Sequence, residues 1–255
     1  MNIQPFRHVQ GIAALAVTAA GVLALALSSP AQAVVGDAVA DGTYAFTAKL
    51  DIGEGDRKRA CTGSLVDAQW ILTASSCFAA AGQPAFPLPA GAPEEKTTAT
   101  IGRTDLTGTG GKVVEVTELV SRSDRDLVMA KLAQPVTDIA PVLLADSAPV
   151  AGESLRAVGY GRTATSWVPD KLHAGTFDVT ATGATTVAVT RDGGAICKGD
   201  AGGPALREQN GTVLLAAVHS ASWQAGCFGS DETRPGAVES RTDDLTDWVT
   251  QVRGL

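Results

Sequence analysis

The side chains suited to nucleophilic or acid–base chemistry are few in this chain: the adjacent hydroxyls Ser75 and Ser76, the carboxyl of Asp126, and the imidazoles of His173 and His219. Nucleophilic catalysis needs an attacking group, a base that takes its proton and a third group that orients the base. Neither serine has an evident base in the sequence, and a serine that is not activated is inert. Whether these residues act together depends on the elements that position them.

A glycine-rich segment near the C-terminus carries the strongest motif. Residues 199–204 read G-D-A-G-G-P and closely resemble the G-D-S-G-G-P loop of the chymotrypsin-like serine peptidases, in which the serine is the nucleophile. Ala201 stands at the serine position, so the attacking oxygen is missing. By the same correspondence, His173 and His219 match no catalytic position. Lys198 is interpreted as a solvated charge at the edge of the cleft and not as a base.

Two earlier motifs concern the other catalytic positions of that family. C-T-G-S-L-V from Cys61 and W-I-L-T-A-S-S-C from Trp70 resemble C-G-G-S-L-I and W-V-L-T-A-A-H-C. The family's histidine base is replaced by Ser76, whose hydroxyl cannot accept a proton near neutral pH. Asp126 opens D-L-V-M-A-K-L, which resembles the strand whose aspartate orients the histidine. The alternative for Asp126 is an acidic residue at a strand start.

Smaller motifs follow in the order that the family requires. Gly159-Tyr160-Gly161 resembles the G-W-G turn that begins the second barrel, and Ser222-Trp223 resembles the S-W pair that lines the substrate cleft. Pro235-Gly236 resembles the P-G beside the specificity pocket, and Val34-Val35-Gly36-Asp37 resembles the I-V-G-G terminus of activated enzymes. The resemblance spans nearly all of residues 34–255. It implies an all-β, chymotrypsin-like fold of two six-stranded β-barrels with a C-terminal α-helix.

The resemblance also implies where the binding groups lie. The backbone N–H groups of Gly199 and Ala201 would form the oxyanion hole, which uses no side chain. The α-amino group of Val34 would pair with Asp200. An apolar specificity pocket, narrowed by a glutamine, would be lined by Ala195, Ile196, Ser222, Trp223, Gln224 and Gly236.

Local patterns support an all-β fold without the resemblance. Short runs with two-residue alternation or β-branched residues, separated by Gly, Asp, Ser and Pro, predict a sandwich or a pair of barrels. Helical spacing predicts a C-terminal helix over residues 243–253, with Thr242 as its N-cap, docked on the second half. We expect the first barrel at about residues 45–145 and the second at about 150–241. The proline-rich segment 79–95 predicts a long surface loop.

The N-terminal segment predicts export. Residues 1–33 combine Arg7, an apolar run over residues 11–27 and a small-x-small ending at Ala33, which is typical of a signal peptide. An uncleaved anchor is the alternative, because the apolar run is near the lower limit for spanning a bilayer. Cleavage after Ala33 would expose Val34 directly, without a propeptide.

Charge and cysteine content limit the partners. The chain has a net charge of −7, and residues 34–255 have −8, because residues 1–33 hold one Lys/Arg and no Asp/Glu. This charge disfavours nucleic acid and anionic membranes, and no Cys/His cluster indicates a metal or other cofactor. Four cysteines after an export signal predict two disulfides, with three pairings open. The resemblance implies the pairs Cys61–Cys77 and Cys197–Cys227.

The sequence thus predicts a secreted, extracellular and monomeric peptidase homologue that is catalytically inactive and binds a peptide or protein in the former substrate cleft. The alternative is a hydrolase with an unrecognised nucleophile that uses the retained oxyanion hole, for example on activated esters. A third interpretation is a structural or decoy surface protein that keeps residues 11–27 as an anchor.

Overall fold

The β-branched and apolar runs form strands that close into two barrels. The structure is a computed structural model, and it describes residues 1–2, 38–192 and 194–254. All elements below belong to one compact unit, Ala31–Leu255. The predicted signal peptide beyond its first two residues, and the predicted mature start at Val34, lie outside the described residues.

The first barrel closes in the order β1-β2-β3-β6-β5-β4, with every neighbouring pair antiparallel. Small and apolar side chains such as Ala48, Leu50, Ala99 and Ile101 alternate into its interior and are fully buried. Its strands are β1 (Thr47–Ile52), β2 (Arg59–Asp67), β3 (Trp70–Thr73), β4 (Thr97–Ile101), β5 (Lys112–Ser121) and β6 (Val128–Leu132).

The second barrel closes in the order β11-β8-β9-β10-β13-β12, and pairing between β11 and β12 completes the ring. A two-residue strand, β7 (Leu143–Leu144), adds to β12 in parallel at the outside. The barrel strands are β8 (Ser154–Gly159), β9 (His173–Thr182), β10 (Thr186–Thr190), β11 (Pro204–Gln209), β12 (Thr212–Ser222) and β13 (Ala237–Arg241). The predicted chymotrypsin-like architecture is therefore confirmed.

A third apolar cluster lies between the barrels and holds them together. It combines side chains of the first barrel, including Leu72 and Met129, with side chains of the second, including Leu215 and Val218. All four are fully buried, so the two barrels share one continuous interface. Ligand sites are common at interfaces of this kind between packed units.

The C-terminal helix α1 (Thr246–Arg253) begins three residues later than predicted. Thr242 does not cap it, because its Oγ1 donates to the carbonyl of Leu215 at 2.7 Å. The helix also contacts both barrels and not only the second. Arg253 pairs with Asp67 of β2 at 2.8 Å, while Val249 and Val252 are buried in the interbarrel cluster.

The proline-rich segment lacks regular structure, as predicted. Residues 79–95 contain no helix or strand in the structure, apart from an isolated bridge between Gly91 and Leu119. Among the residues that the structure describes, we find no helix with the length and hydropathy needed to cross a membrane.

Candidate functional site

The carboxylate of Asp126 lies two residues before β6 and is 5% exposed. Its Oδ1 accepts a hydrogen bond from the backbone N–H of Ser76 at 2.7 Å, and its Oδ2 accepts one from the Ser76 Oγ at 2.8 Å. Ser220 on β12 donates a third hydrogen bond to Oδ2 at 2.7 Å. The structure thus brings Ser76 and Asp126 together, and the buried carboxylate has three donors.

Ser76 lies in the 3₁₀-helix Ser75–Cys77 that follows β3. The disulfide Cys61–Cys77 ties this turn to β2, as the resemblance implied. The hydroxyl of Ser76 stands where the resemblance places an imidazole, but it can only donate to the carboxylate near neutral pH. A carboxylate is a weak base for a serine hydroxyl, so the pair is a satisfied hydrogen bond and not a proton relay.

Ser75, the other hydroxyl at this turn, is fully buried. Its Oγ donates to the carbonyl of Leu127 at 2.8 Å and lies 3.0 Å from the Oγ of Ser121. A substrate cannot reach this oxygen without opening the first barrel.

The glycine-rich loop between Cys197 and β11 is held from both barrels. Thr62 of β2 donates from its N–H to the carbonyl of Ala201 at 2.9 Å and from its Oγ1 to the carbonyl of Gly199 at 2.8 Å. In the described part of the chain, the N–H groups of Gly199 and Ala201 donate to no acceptor. The loop therefore carries two unused donors close to Ala201, as an oxyanion hole requires.

Two glycines permit this close packing. Gly199 has φ +101°, and a Cβ there would lie 2.8 Å from the Cα of Gly161. Gly202 has φ +84°, and a Cβ there would lie 1.9 Å from the Oγ1 of Thr73 and 2.3 Å from the carbonyl of Thr62. Only glycine fits both the backbone conformation and the space.

Asp200, between these glycines, is 3% exposed. Its Oδ1 accepts from the N–H of Gly161 at 2.7 Å and its Oδ2 from the N–H of Cys197 at 2.9 Å. Burial raises the pKa of Asp200 to about 6, although both hydrogen bonds and the nearby His219 act in the opposite direction. Val34, its predicted ion-pair partner, lies outside the described residues.

The imidazoles of the two histidines have other partners than the catalytic positions of the family. His219 is 1% exposed, and its Nδ1 lies 2.9 Å from Oε1 of Glu239 on β13. Burial lowers the pKa of His219, but the charge of Glu239 and the hydrogen bond to it raise the pKa overall. His173 begins β9, where burial lowers its pKa. Within the described residues, neither imidazole hydrogen-bonds to Ser76 or Asp126.

Comparison with known proteins agrees with this geometry. The family model described as Trypsin matches residues 33–249, which is most of the chain. The chain belongs to the trypsin family. A snake venom serine protease homolog from Bothrops jararacussu is 25% identical over 215 residues, which cover 77% of this chain and 78% of that protein. Trypsin 5G1 from Aedes aegypti is 29% identical over 216 residues, which cover 76% of each chain.

A third similar protein is the snake venom serine protease gussurobin from Gloydius ussuriensis. It is 28% identical over 213 residues, which cover 76% of each chain.

The residues predicted to line the trypsin-family specificity pocket lie on two segments. Ala195 and Ile196 are each 4% exposed, and Ala195 packs against the disulfide Cys197–Cys227. On the other segment, the carbonyl of Gly236 accepts from the N–H of Trp223 at 3.4 Å.

The segment that contains Trp223 and Gln224 turns sharply just after β12. Gln224 has φ +64°, and its N–H donates to the Oγ of Ser222 at 3.0 Å. The Trp223 side chain is 50% exposed, with the guanidinium of Arg234 4.5 Å from its ring centroid. This tryptophan is therefore half exposed, with a basic side chain over its ring.

Sequence reasoning missed Ser220, which contacts Asp126. The serine–tryptophan dipeptide predicts a functional role for Ser222, whereas in the structure the hydroxyl of Ser220 donates to Asp126. The pairing of β12 with β13 shifts between His219 and Ala221, so Ser220 is the additional residue of a β-bulge. A bulge turns a side chain away from the regular alternation, and a two-residue pattern does not reveal it.

Proposed function

We propose that this protein is a secreted trypsin-family member without peptidase activity that binds a peptide or protein in the former substrate cleft. The observation that carries the proposal is the hydrogen bond from Ser76 to Asp126 close to Ala201. In this arrangement, the position of the base holds a hydroxyl that donates a hydrogen bond. The position of the nucleophile holds a methyl group. The Sγ of Cys77 lies 3.5 Å from the Ala201 carbonyl, so the turn that carries Ser76 packs against the backbone of Ala201.

The size of the catalytic loss supports this interpretation. Serine peptidases that lack triad members keep about 10³–10⁴-fold acceleration over water from the oxyanion hole and binding alone. Uncatalysed peptide hydrolysis is so slow that this remainder has no use in a cell. A protein that lacks both the nucleophile and the base is therefore better suited to binding than to turnover.

The cleft keeps groups that an extended peptide can use. The free N–H groups of Gly199 and Ala201 can donate to a peptide carbonyl, and the half-exposed side chain of Trp223 offers apolar area. Aromatic side chains of this kind are common at the centre of binding sites.

Secretion is supported by the two disulfides, because such bonds persist in oxidising compartments. N-terminal sequencing of the exported protein should begin at Val34. Any other start would overturn the predicted cleavage after Ala33.

The alternative is a hydrolase whose nucleophile has not been recognised, and the free N–H groups of Gly199 and Ala201 favour it. Intact mass before and after treatment with a fluorophosphonate decides between the two, because this reagent labels activated serines. We expect no adduct on the natural chain. As a positive control, the double variant Ser76→His/Ala201→Ser should be labelled. A stoichiometric adduct on the natural chain would overturn the proposal and identify the nucleophile.

A separate experiment tests whether the protein binds peptides. Peptides enriched from a random display library should bind the purified protein and lose affinity for Trp223→Ala. The control Val113→Ala removes another exposed apolar side chain, on β5, and should leave binding unchanged. Failure to enrich any peptide would contradict peptide binding.

A further inference from the structure

A groove of about 420 Å³ opens beside Gly199, and most of its charged side chains are basic. We call it the basic groove. Its charged lining residues are Lys49, Asp51, Lys58, Arg59, Arg162 and Lys198. They come from β1, from the start of β2 and from loops of the second barrel, so the groove spans both barrels next to the proposed oxyanion donors.

The positive charge of this groove is only partly neutralised. Lys49 hydrogen-bonds to Asp51, Lys58 lies 3.3 Å from the same carboxylate, and Arg59 pairs with Glu95. Five cations against these two carboxylates leave three positive charges, on a chain whose net charge is −7.

Two of the basic side chains are not paired with a carboxylate of the described residues. Within the described residues, neither Arg162 nor Lys198 forms an ion pair. Charge of one sign gathered in a concave site raises the local concentration of oppositely charged ligands.

One wall of the groove is apolar. Trp167 and Val168 line it and are 54% and 66% exposed. The guanidinium of Arg162 lies 3.5 Å from the centroid of the Trp167 ring, and Phe228 meets the same ring edge-on with centroids 6.2 Å apart. Stacking and a hydrogen bond from Nη1 to the carbonyl of Phe228 at 3.4 Å order the arginine. Within the described residues its Nε and Nη2 donate to no acceptor, so they can bind a carboxylate.

We propose that the basic groove binds an acidic segment of the polypeptide that occupies the former cleft. This inference rests on the proposed function and names the chemistry of the ligand. The groove begins at Gly199, so a peptide whose carbonyl meets the free N–H groups there continues directly between Arg162 and Lys198. Glutamate or aspartate side chains would pair with these two cations, and an adjacent apolar side chain would pack on Trp167.

The charge distribution favours a peptide over a long polyanion. Outside the groove the chain carries all of its excess negative charge, which repels a polysaccharide or nucleic acid that extends beyond the site. A short acidic segment contacts only the groove, so the negative charge of the remaining surface does not repel it.

The test uses the mature protein and two fluorescein-labelled octapeptides, one with four glutamates and one with glutamines at the same positions. Fluorescence anisotropy should show the acidic peptide binding about tenfold more tightly at low salt, and the difference should shrink as salt is added. Arg162→Gln/Lys198→Gln should weaken the acidic peptide about fivefold to tenfold and leave the glutamine peptide unchanged. Lys198→Gln alone, which leaves the stacked arginine in place, should show a smaller loss in the same direction.

The matched control is Lys112→Gln/Lys171→Gln, which removes the same charge from lysines that pair with Asp138 and Asp105 outside the groove. It should bind both peptides as the natural chain does. Equal binding of the two peptides would overturn the acidic preference and leave the peptide cleft standing. Tighter binding of a sulfated oligosaccharide, lost in the groove variant, would assign the groove to a polysaccharide and overturn the inference. Absence of binding by either peptide, together with an unenriched library, would overturn both proposals.

Discussion

At the scale of single residues, the retained carboxylate of Asp126 is stable without an imidazole. A buried carboxylate that lacked partners would cost several kcal/mol, whereas three donors surround this one. Ser76 supplies two of them and Ser220 the third. A serine in place of the family's histidine therefore leaves the buried charge of Asp126 paired.

Restoring both missing side chains should restore chemistry. Ser76→His supplies a base beside Asp126, and Ala201→Ser supplies the hydroxyl, so the double variant should hydrolyse peptide substrates with a small apolar residue before the scissile bond. Each single variant should stay inactive, because triad members act as a unit. A double variant that is folded but silent would show that the substrate pocket around Ala195 and Gln224 is also unsuited to catalysis.

The hydrogen bond from Ser220 should contribute measurably to stability. Ser220→Ala removes one donor from a buried carboxylate, and we expect a loss of about 1.5–3 kcal/mol in the free energy of unfolding, measured in urea. Ser154→Ala is the matched control, because its hydroxyl donates to Asp178 at the surface. The control should change stability by less than about 0.5 kcal/mol. Equal losses of stability in the two variants would mean that the Ser220 hydrogen bond contributes no more than a hydrogen bond at the surface.

At the scale of elements, the glycine-rich loop is fixed by contacts with β2, β3 and the turn after β8. Thr62 holds its carbonyls, and Gly202 lies against Thr73 and Thr62. Asp200 receives the N–H of Gly161 from that turn. These contacts keep the two N–H donors in place although the loop no longer carries a nucleophile.

Gly202→Ala should disrupt this loop. The new Cβ would clash with β2 and β3 in addition to the strain of φ +84°. We therefore expect a loss of about 3 kcal/mol or more in the free energy of unfolding. Gly211→Ala in the β11–β12 turn has φ +78° and no atom within 4 Å of its Cβ, so it isolates the backbone cost of about 1 kcal/mol. Similar losses in urea unfolding would contradict tight packing of the loop.

At the scale of the whole molecule, Asp200 couples stability to pH. Its pKa in the folded chain, about 6, exceeds the ordinary value of 3.8, so the folded chain keeps a proton that the unfolded chain loses. The stability that Asp200 contributes should therefore fall as pH rises between about 4 and 6, by up to about 3 kcal/mol. Urea unfolding of a chain that keeps residues before Val34, and of Asp200→Asn in that chain, should show the difference across this range.

The predicted ion pair with Val34 would reverse that trend. An ammonium beside Asp200 lowers the pKa of its carboxyl, so a protein that begins at Val34 should gain stability from this residue as pH rises. A version with a short N-terminal extension keeps the pKa raised by burial and serves as the comparison. Identical pH profiles for the two proteins would rule out the ion pair.

The sequence by itself determined the family and the barrel pair, because these depend on the identity of residues within short motifs such as residues 199–204. The same motifs predict that the chain lacks peptidase activity. The sequence also determined the disulfide pairs through the same resemblance. The C-terminal helix was visible from its spacing, but its start was not, because Thr242 bonds to a distant carbonyl.

Only the tertiary structure decided what surrounds those motifs. The bulge that turns Ser220 onto Asp126 depends on strand pairing, and no local pattern records it. The basic groove joins Lys49 to Lys198, residues that are far apart in the chain, because closure of two barrels brings their loops to one edge. Local sequence specifies which groups a strand or turn can offer, whereas their neighbours are chosen by how the barrels close and pack together.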